Sequence, residues 1–270
     1  MLDTLLFSLQ HLFSQGSPLV LVLAVLGGFL PAVIWLMVWF RRDNHPEPKR
    51  LIAVTFGAGI LCVPIVFLIQ FLIGYFVTDL RSPSDLIQSG LPNLMLLGAL
   101  VTVIFAGLEE LLKFFASHWS KQQRINIDEP IDWVIYLVSA ALGFAAAENA
   151  LYLISPIAQS LNNPNFIINY SLFRFLGGAL LHCLCSSIIG IFMAVTFYAH
   201  KQVKVFAAIV GLLSAIILHS IFNLVIISSD NLLFTVFVSV WFLSILVFVA
   251  VPKIKKNKKH NYSLNKKKNG

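Results

Sequence analysis

Long apolar runs separated by short polar breaks dominate this chain. A helix that crosses a bilayer needs about 20 mostly apolar residues, and seven runs meet that length: roughly 17–40, 52–77, 93–117, 132–155, 171–199, 205–227 and 231–251. The breaks between them, such as RRDNHPEPKR (41–50), RSPSDLIQSG (81–90) and SKQQRINIDEP (120–130), read as connecting loops. The pattern predicts an all-α, polytopic membrane protein with seven transmembrane helices. Residues 1–16 carry Asp3 and His11 but no basic n-region, so they read as a short amphipathic lead-in rather than a cleavable signal peptide. The expected organisation is a lead-in (1–16), a transmembrane domain (17–251) and a basic tail (252–270), with no internal repeat and no soluble domain.

Composition removes the other classes. At 58% hydrophobic and 11% charged, the chain has too few charged side chains to cover a water-exposed surface. Soluble enzymes, disordered tails and disulfide-stapled secreted modules are excluded. Cys62, Cys183 and Cys185 lie inside apolar runs, and an odd number of such thiols reads as packing rather than as a disulfide framework. The net charge of +7 comes from the edges. With the N-terminus outside, the inner loops hold Arg41, Arg42, Lys49, Arg50, Lys121, Arg124, Lys201 and Lys204. The last 18 residues hold eight further lysines, which places 16 of the 19 basic residues inside. This asymmetry predicts an N-out, C-in protein of the cell membrane. Trp35, Trp39, Trp119 and Trp133 fall near the inner boundaries, as an aromatic belt would. The tail is expected to touch anionic lipid; it has no aromatic platform for nucleic acid.

The informative residues are those that a bilayer should exclude. Three of the five glutamates, Glu109, Glu110 and Glu148, fall inside predicted spans, together with Lys113, His182 and His219. Each costs at least ~2.5 kcal/mol at mid-bilayer, so six unpaired groups would cost on the order of 15 kcal/mol, more than a typical net stability. They are therefore expected to face one another around a polar cavity between the third and sixth helices, in a core spanning 93–227. Glu109 and Lys113 are four apart and share a helix face, an arrangement that predicts an ion pair, while Glu110 points about 100° away. His219 and Asn223 share a face of the sixth span. Phe144, Glu148 and Tyr152 form a stripe on the fourth, where Gly143 and the alanines at 145–147 permit close helix approach. Gly178, His182 and Ser186 align on the fifth. At 1.5 Å per residue, Glu148, His182 and His219 lie roughly 10–17 Å below the outer boundary and Glu109 roughly 20–25 Å, within the error of helix ends and tilt.

A carboxylate among apolar groups suits a general base on water, histidine can share that proton work or bind a metal, and a His/Asn pair can donate to an oxyanion. These parts suffice to hydrolyse an amide. Ser186, Ser187 and Cys185 fit a nucleophilic mechanism less well, because small hydroxyl residues commonly pack between membrane helices.

The set Glu109-Glu110-x-x-Lys113, Phe144-x-x-x-Glu148-Asn149, His182 and His219-x-x-x-Asn223 resembles the PrsW family of bacterial intramembrane proteases. In layout it is similar to the CAAX prenyl-protease and Abi group, whose first motif is EExxxR; Lys113 departs from that arginine and lies one residue closer. The likeness covers about 94–227. It implies that Glu109 activates the attacking water, with Glu110 and Lys113 shaping its charge. It puts Glu148 where the wider group often has histidine, His182 as an assistant or metal ligand, and His219 and Asn223 as oxyanion donors. It also implies a single-pass membrane substrate such as an anti-sigma factor, cut on its extracytoplasmic side. Glu109, Glu148, His182 and His219 can hold a divalent metal such as Zn2+; a metal-free, glutamate-activated water is the other route, and spacing does not separate them.

Taken singly, each residue has a structural reading: Glu109–Lys113 as an intramembrane ion pair, His219–Asn223 as an interhelical clamp, and Arg174 as a snorkelling residue. His118 and His200 read as solvated at the interface, Asn149 as a neighbour of Glu148, and Met37, Met95 and Met193 as core or lipid-facing. Two other classes remain for the whole. One is an ion-coupled transporter or channel, against which stands the lack of an inverted repeat or paired broken helices; the other is a non-catalytic membrane scaffold.

Overall fold

The computed structural model describes residues 18–41, 47–79, 81–159, 174–228 and 232–268. The lead-in 1–16, Arg42, and the side chains of Lys121, Arg174 and the tail lysines lie outside the described residues. The elements are α1 (Pro18–Phe40), α2 (Lys49–Val77), α3 (Pro83–Gln88), α4 (Pro92–Ala116), α5 (Lys121–Asn126), α6 (Asp132–Gln159), α7 (Leu180–Val195, preceded by a π-helical turn at Arg174–Ala179), α8 (Lys201–Ser228) and α9 (Leu233–Lys268). No strand occurs among the described residues. Seven helices are long and apolar enough to cross a membrane, so the chain is an all-α, multi-pass integral membrane protein, as its apolar runs predict.

Two predicted loops contain short helices. Ser82 caps α3 by accepting from the Asp85 amide (3.1 Å), and Asp85 reaches back to the Ser82 amide (3.3 Å). Ser120 and Gln123 do the same for α5 (3.1 and 2.9 Å). Each is a capping box, which satisfies amides that a loop would leave to water. Gln123 Nε2 also donates to Thr55 Oγ1 (2.6 Å) and to the Ala116 carbonyl (3.2 Å), tying α5 to α2 and α4.

Three of the four tryptophans of the expected belt also pack between elements. Trp35 packs on Trp241, Trp39 edge-on to Phe248, and Trp133 on His118; Trp119 alone among the four is largely exposed. These rings fill space between helices where α9 meets α1 and where α4 meets α6. His118 is likewise half-buried among Phe114 and Trp133 rather than solvated, and that burial holds its imidazole below the usual range.

α6 is the central post. In its membrane window 83% of residues are buried, against 11% for the last span. Close approach by backbone makes this possible. Gly143 of α6 faces the Phe56 carbonyl of α2, and Gly59 of α2 faces the Ala140 carbonyl of α6; a Cβ at either would collide with backbone. Gly28 of α1 sits against Ala146 and Ala150 in the same way. The small-residue stretch around 143–147 thus draws α1 and α2 onto α6.

A test follows from that contact. Gly143→Val forces backbone apart and is expected to cost about 1–3 kcal/mol, read as a lower midpoint of thermal unfolding in detergent. Gly57→Ala on the same α2, where a Cβ meets nothing within 4 Å, should unfold like the wild type.

Candidate active site

Four helices each deliver one polar stripe to a common cleft. Helix α4 brings Thr102, Phe105 and Glu109; α6 brings Glu148 and Tyr152; α7 brings Gly178, Leu181 and His182; α8 brings His219, Phe222 and Asn223. Pro83 and Ser84 of α3 also line the cleft, whose volume is about 210 Å³. Glu109, Glu110, Lys113, Glu148, His182 and His219 are all buried, and Asn223 is half-buried. The convergence expected from the cost of burying charge is therefore met, and the apparent depth gap of Glu109 closes.

The pairing differs from the expected one. Lys113 Nζ bonds to Glu110 Oε1 (2.5 Å), three residues back, and not to Glu109. The i, i+3 and i, i+4 positions both share a helix face with Lys113, and the neighbouring helices select between them. His219 of α8 places Nδ1 2.7 Å from Glu110 Oε1, and Lys113 Nζ also reaches His182 Nδ1 of α7 (2.9 Å). Glu110, expected to point away, is thus the hub behind the cleft. Glu109 alone of the two acids lines the cavity.

Donor and acceptor chemistry fixes the tautomers. A carboxylate only accepts, so His219 Nδ1–H donates to Glu110 and its Nε2 carries a lone pair. That Nε2 faces Glu109 Oε2 at 3.7 Å, and Glu109 Oε2 has no hydrogen-bond partner. Lys113, paired with Glu110, is an ammonium with donors only, so His182 Nδ1 accepts from it. The Nε2–H of His182 then donates to Glu148 Oε2 (2.9 Å). Phe144 packs edge-on to His182 (5.4 Å between centroids) and beneath Lys113 Nζ (5.1 Å).

Two buried acceptors facing each other across 3.7 Å require a cation or a bridging donor between them. Ligand atoms of Glu109, His182 and His219 lie within 4.8 Å of one another. Zinc ligands at ~2.1 Å around a tetrahedral centre stand roughly 3.4 Å apart, and a ligating histidine usually donates its other N–H to a carboxylate, as His219 does to Glu110. The donor set fits a divalent metal. Glu148 reaches His182 but falls outside this three-residue group. A second group, Glu110, Cys185 and His219, has the same spread, but the Lys113 ammonium already neutralises Glu110 there.

Gln70 of α2 is a site neighbour that the motif reading missed. It is 1% exposed, and its Nε2 donates to Glu109 Oε1 (3.4 Å). The available signal was its being the one amide within an otherwise apolar span. Ser186, Ser187 and Cys185 do not line the cleft. Ser187 faces a separate cavity with Trp35, Trp39 and Trp241 on the other side of α7.

The chain is similar to known proteins over most of its length. A family profile described as "PrsW family intramembrane metalloprotease" matches residues 47–251. The chain is 28% identical over 221 residues to Protease PrsW of Oceanobacillus iheyensis, covering 81% of this chain and 91% of that protein. It is 23% identical over 206 residues to that of Bacillus subtilis, covering 76% and 83%. It is 29% identical over 129 residues to that of Geobacillus kaustophilus, covering 47% of this chain and about half, 51%, of that protein. No solved structure matches the chain.

The buried network makes Lys113 a structural as well as an electrostatic requirement. Lys113→Met leaves the Glu110 carboxylate buried without its cation, and about 3–5 kcal/mol of stability should be lost. Lys113→Met combined with Glu110→Gln should recover most of that loss in detergent thermal unfolding; additive losses would mean the two groups do not interact.

Proposed function

The chain belongs to the PrsW family of intramembrane metalloproteases, and we propose that its cleft hydrolyses a peptide bond in the membrane-adjacent part of a single-pass membrane protein. One observation carries the assignment of roles: the unbonded pair Glu109 Oε2 and His219 Nε2, 3.7 Å apart. Glu109 and His219 would hold a divalent cation, with zinc the species that this carboxylate–imidazole set suits best. His182, whose Nε2–H is committed to Glu148, would stand beside the cation and orient Glu148 rather than ligate it. When bound, such a cation supplies Lewis-acid stabilisation of the negative charge that develops on the scissile carbonyl.

The remaining steps belong to the side chains. Glu148 lines the cleft and takes a proton as water oxygen bonds to the carbonyl carbon; it returns that proton to the departing amine as the C–N bond breaks. His182 orients Glu148 through Nε2–H, and Lys113 holds His182 in that tautomer. Asn223 donates its amide to the oxyanion. His219 is thereby reassigned from oxyanion donor to cation ligand, because its one N–H is committed to Glu110. Gln70 steadies Glu109 from behind.

The same reading places the N-terminus outside and the basic tail inside against anionic lipid, in keeping with 16 of 19 basic residues on the inner side. The side of the cleft lined by Pro83 and Ser84 then lies toward the extracytoplasmic face, where an anti-sigma factor would present its scissile bond.

Metal content and turnover separate the roles. Purified wild type should carry about one divalent ion per chain, and Glu109→Gln and His219→Ala should lose both the ion and cleavage of a co-expressed single-span anti-sigma factor. Glu148→Gln should keep the ion and lose at least ~100-fold in rate. A metal-free wild type whose cleavage withstands chelation would defeat the cation and leave the glutamate-activated water alone.

A further inference from the structure

The last span is held unevenly. Its inner half is anchored by Trp241 on Trp35 and Phe248 on Trp39. Its outer half is held through Phe237, and one face is exposed from end to end, with Phe234 80%, Phe242 60% and Ile245 55% exposed. Along it, Phe234, Phe237, Val238, Trp241, Phe242 and Ile245 recur at helical spacing and, with Leu176, line an apolar groove of about 630 Å³. The twelve residues from Phe234 to Ile245 make that face ~16 Å long, about three turns, the length over which one helix packs against another.

What lies behind the groove distinguishes it from ordinary lipid-facing surface. The Phe237 ring seats on Gly177, where a side chain would collide with it, and packs against Phe222 at 6.1 Å between centroids. Phe222 and Gly178, the residue after Gly177, both line the catalytic cleft. Groove and cleft are therefore separated by one aromatic pair over two adjacent glycines. Those glycines lie in the π-helical turn at Arg174–Ala179, a widened form of helix that recurs at functional sites.

We propose that the seam between α9 and the π-helical turn preceding α7 is the lateral entry for the substrate's transmembrane helix, which docks in the groove, with Phe237 as the gate into the cleft. This rests on the protease reading above. The occupant is a helix because the groove is apolar, about three turns long, within the membrane span and parted from the cleft by the Phe237–Phe222 pair alone. Swinging Phe237 off Gly177 joins the two spaces and brings an unwound substrate segment beside Glu109 and His219, while the tryptophan contacts keep the inner half of α9 in place.

Two substrates and two crosslinking positions test the route. The membrane probe is an epitope-tagged single-span anti-sigma factor; the soluble probe is a peptide carrying the same scissile sequence. Phe237→Ala should raise the cleavage rate of the membrane probe about three-fold and Phe237→Trp should lower it by a similar factor, since gating steps commonly limit turnover. Phe237→Leu should stay near wild type, and the soluble peptide should be cut equally by all four proteins. In the Glu109→Gln background, a photocrosslinker at Val238 should capture the tagged probe, while one at Leu100, exposed on α4, should not. Equal effects on both substrates, or equal capture from both positions, would overturn the lateral route alone. A wild type that cleaves neither substrate would overturn the protease reading and this route with it.

Discussion

The structure depends on one fully buried ammonium. Lys113 is 0% exposed and, among the described residues, is the one lysine or arginine in the buried core. No water screens it, so each neighbour must compensate it, and this requirement spreads outward. Glu110 supplies the counter-charge and His182 the second acceptor. Because an ammonium only donates, the proton of His182 is forced onto Nε2 and toward Glu148. Because the Glu110 carboxylate only accepts, the proton of His219 is forced onto Nδ1, which leaves Nε2 bare toward Glu109. Two histidines with the same chemistry are thereby given opposite tautomers, one presenting a donor and the other a lone pair. Replacing Lys113 by a neutral residue would remove the charge and also scramble this assignment.

Such a network tolerates little positional error, since a displacement of about 1 Å turns a paired ion into an uncompensated one. The fold answers with its stiffest packing at the same level. Gly143 and Gly59 remove side chains from the contact between α6 and α2 and let backbone meet backbone. The buried stripe of α6 carrying Phe144 and Glu148 is thereby held where α7 can reach it. Gln70 comes from α2 through the same close contact, which explains how a helix outside the motif-bearing set takes part in the site.

Much of this was legible in the sequence, for energetic reasons. Seven apolar runs of about 20 residues admit few other structures, and six ionisable groups inside them had to converge. The details that escaped were those set by tertiary contact. Glu109 and Glu110 stand four and three residues from Lys113, and helical geometry allows either to pair; the choice was made by His219, 109 residues away. Trp35 and Trp39 have the position of an interfacial belt and also pack against α9. The short helices α3 and α5 were readable, since S-x-x-D and S-x-x-Q stand in the breaks, but polar composition masked them. Gln70 needed the rule already applied to the glutamates, extended to an uncharged amide.

An intramembrane hydrolase faces two demands that oppose each other. Its charges must be fixed, and some wall must move to admit a helix from the bilayer. The chain separates them along its length. Every ion pair of the site lies on α4, α6, α7 and α8, and the three residues within ligand reach of one another come from α4, α7 and α8. From 233 to 251, α9 contains no charged residue at all. Its contacts with the body are apolar, ring against ring and, at Val240 and Val251, aliphatic, so displacing its outer half exchanges one apolar neighbour for another and breaks no buried pair. In a medium as apolar as its own side chains, that exchange costs little, whereas moving any of the other four helices by the same distance would strand a charge. α1 is equally uncharged, but Gly28 sets its backbone against α6, so the wall left to move is α9.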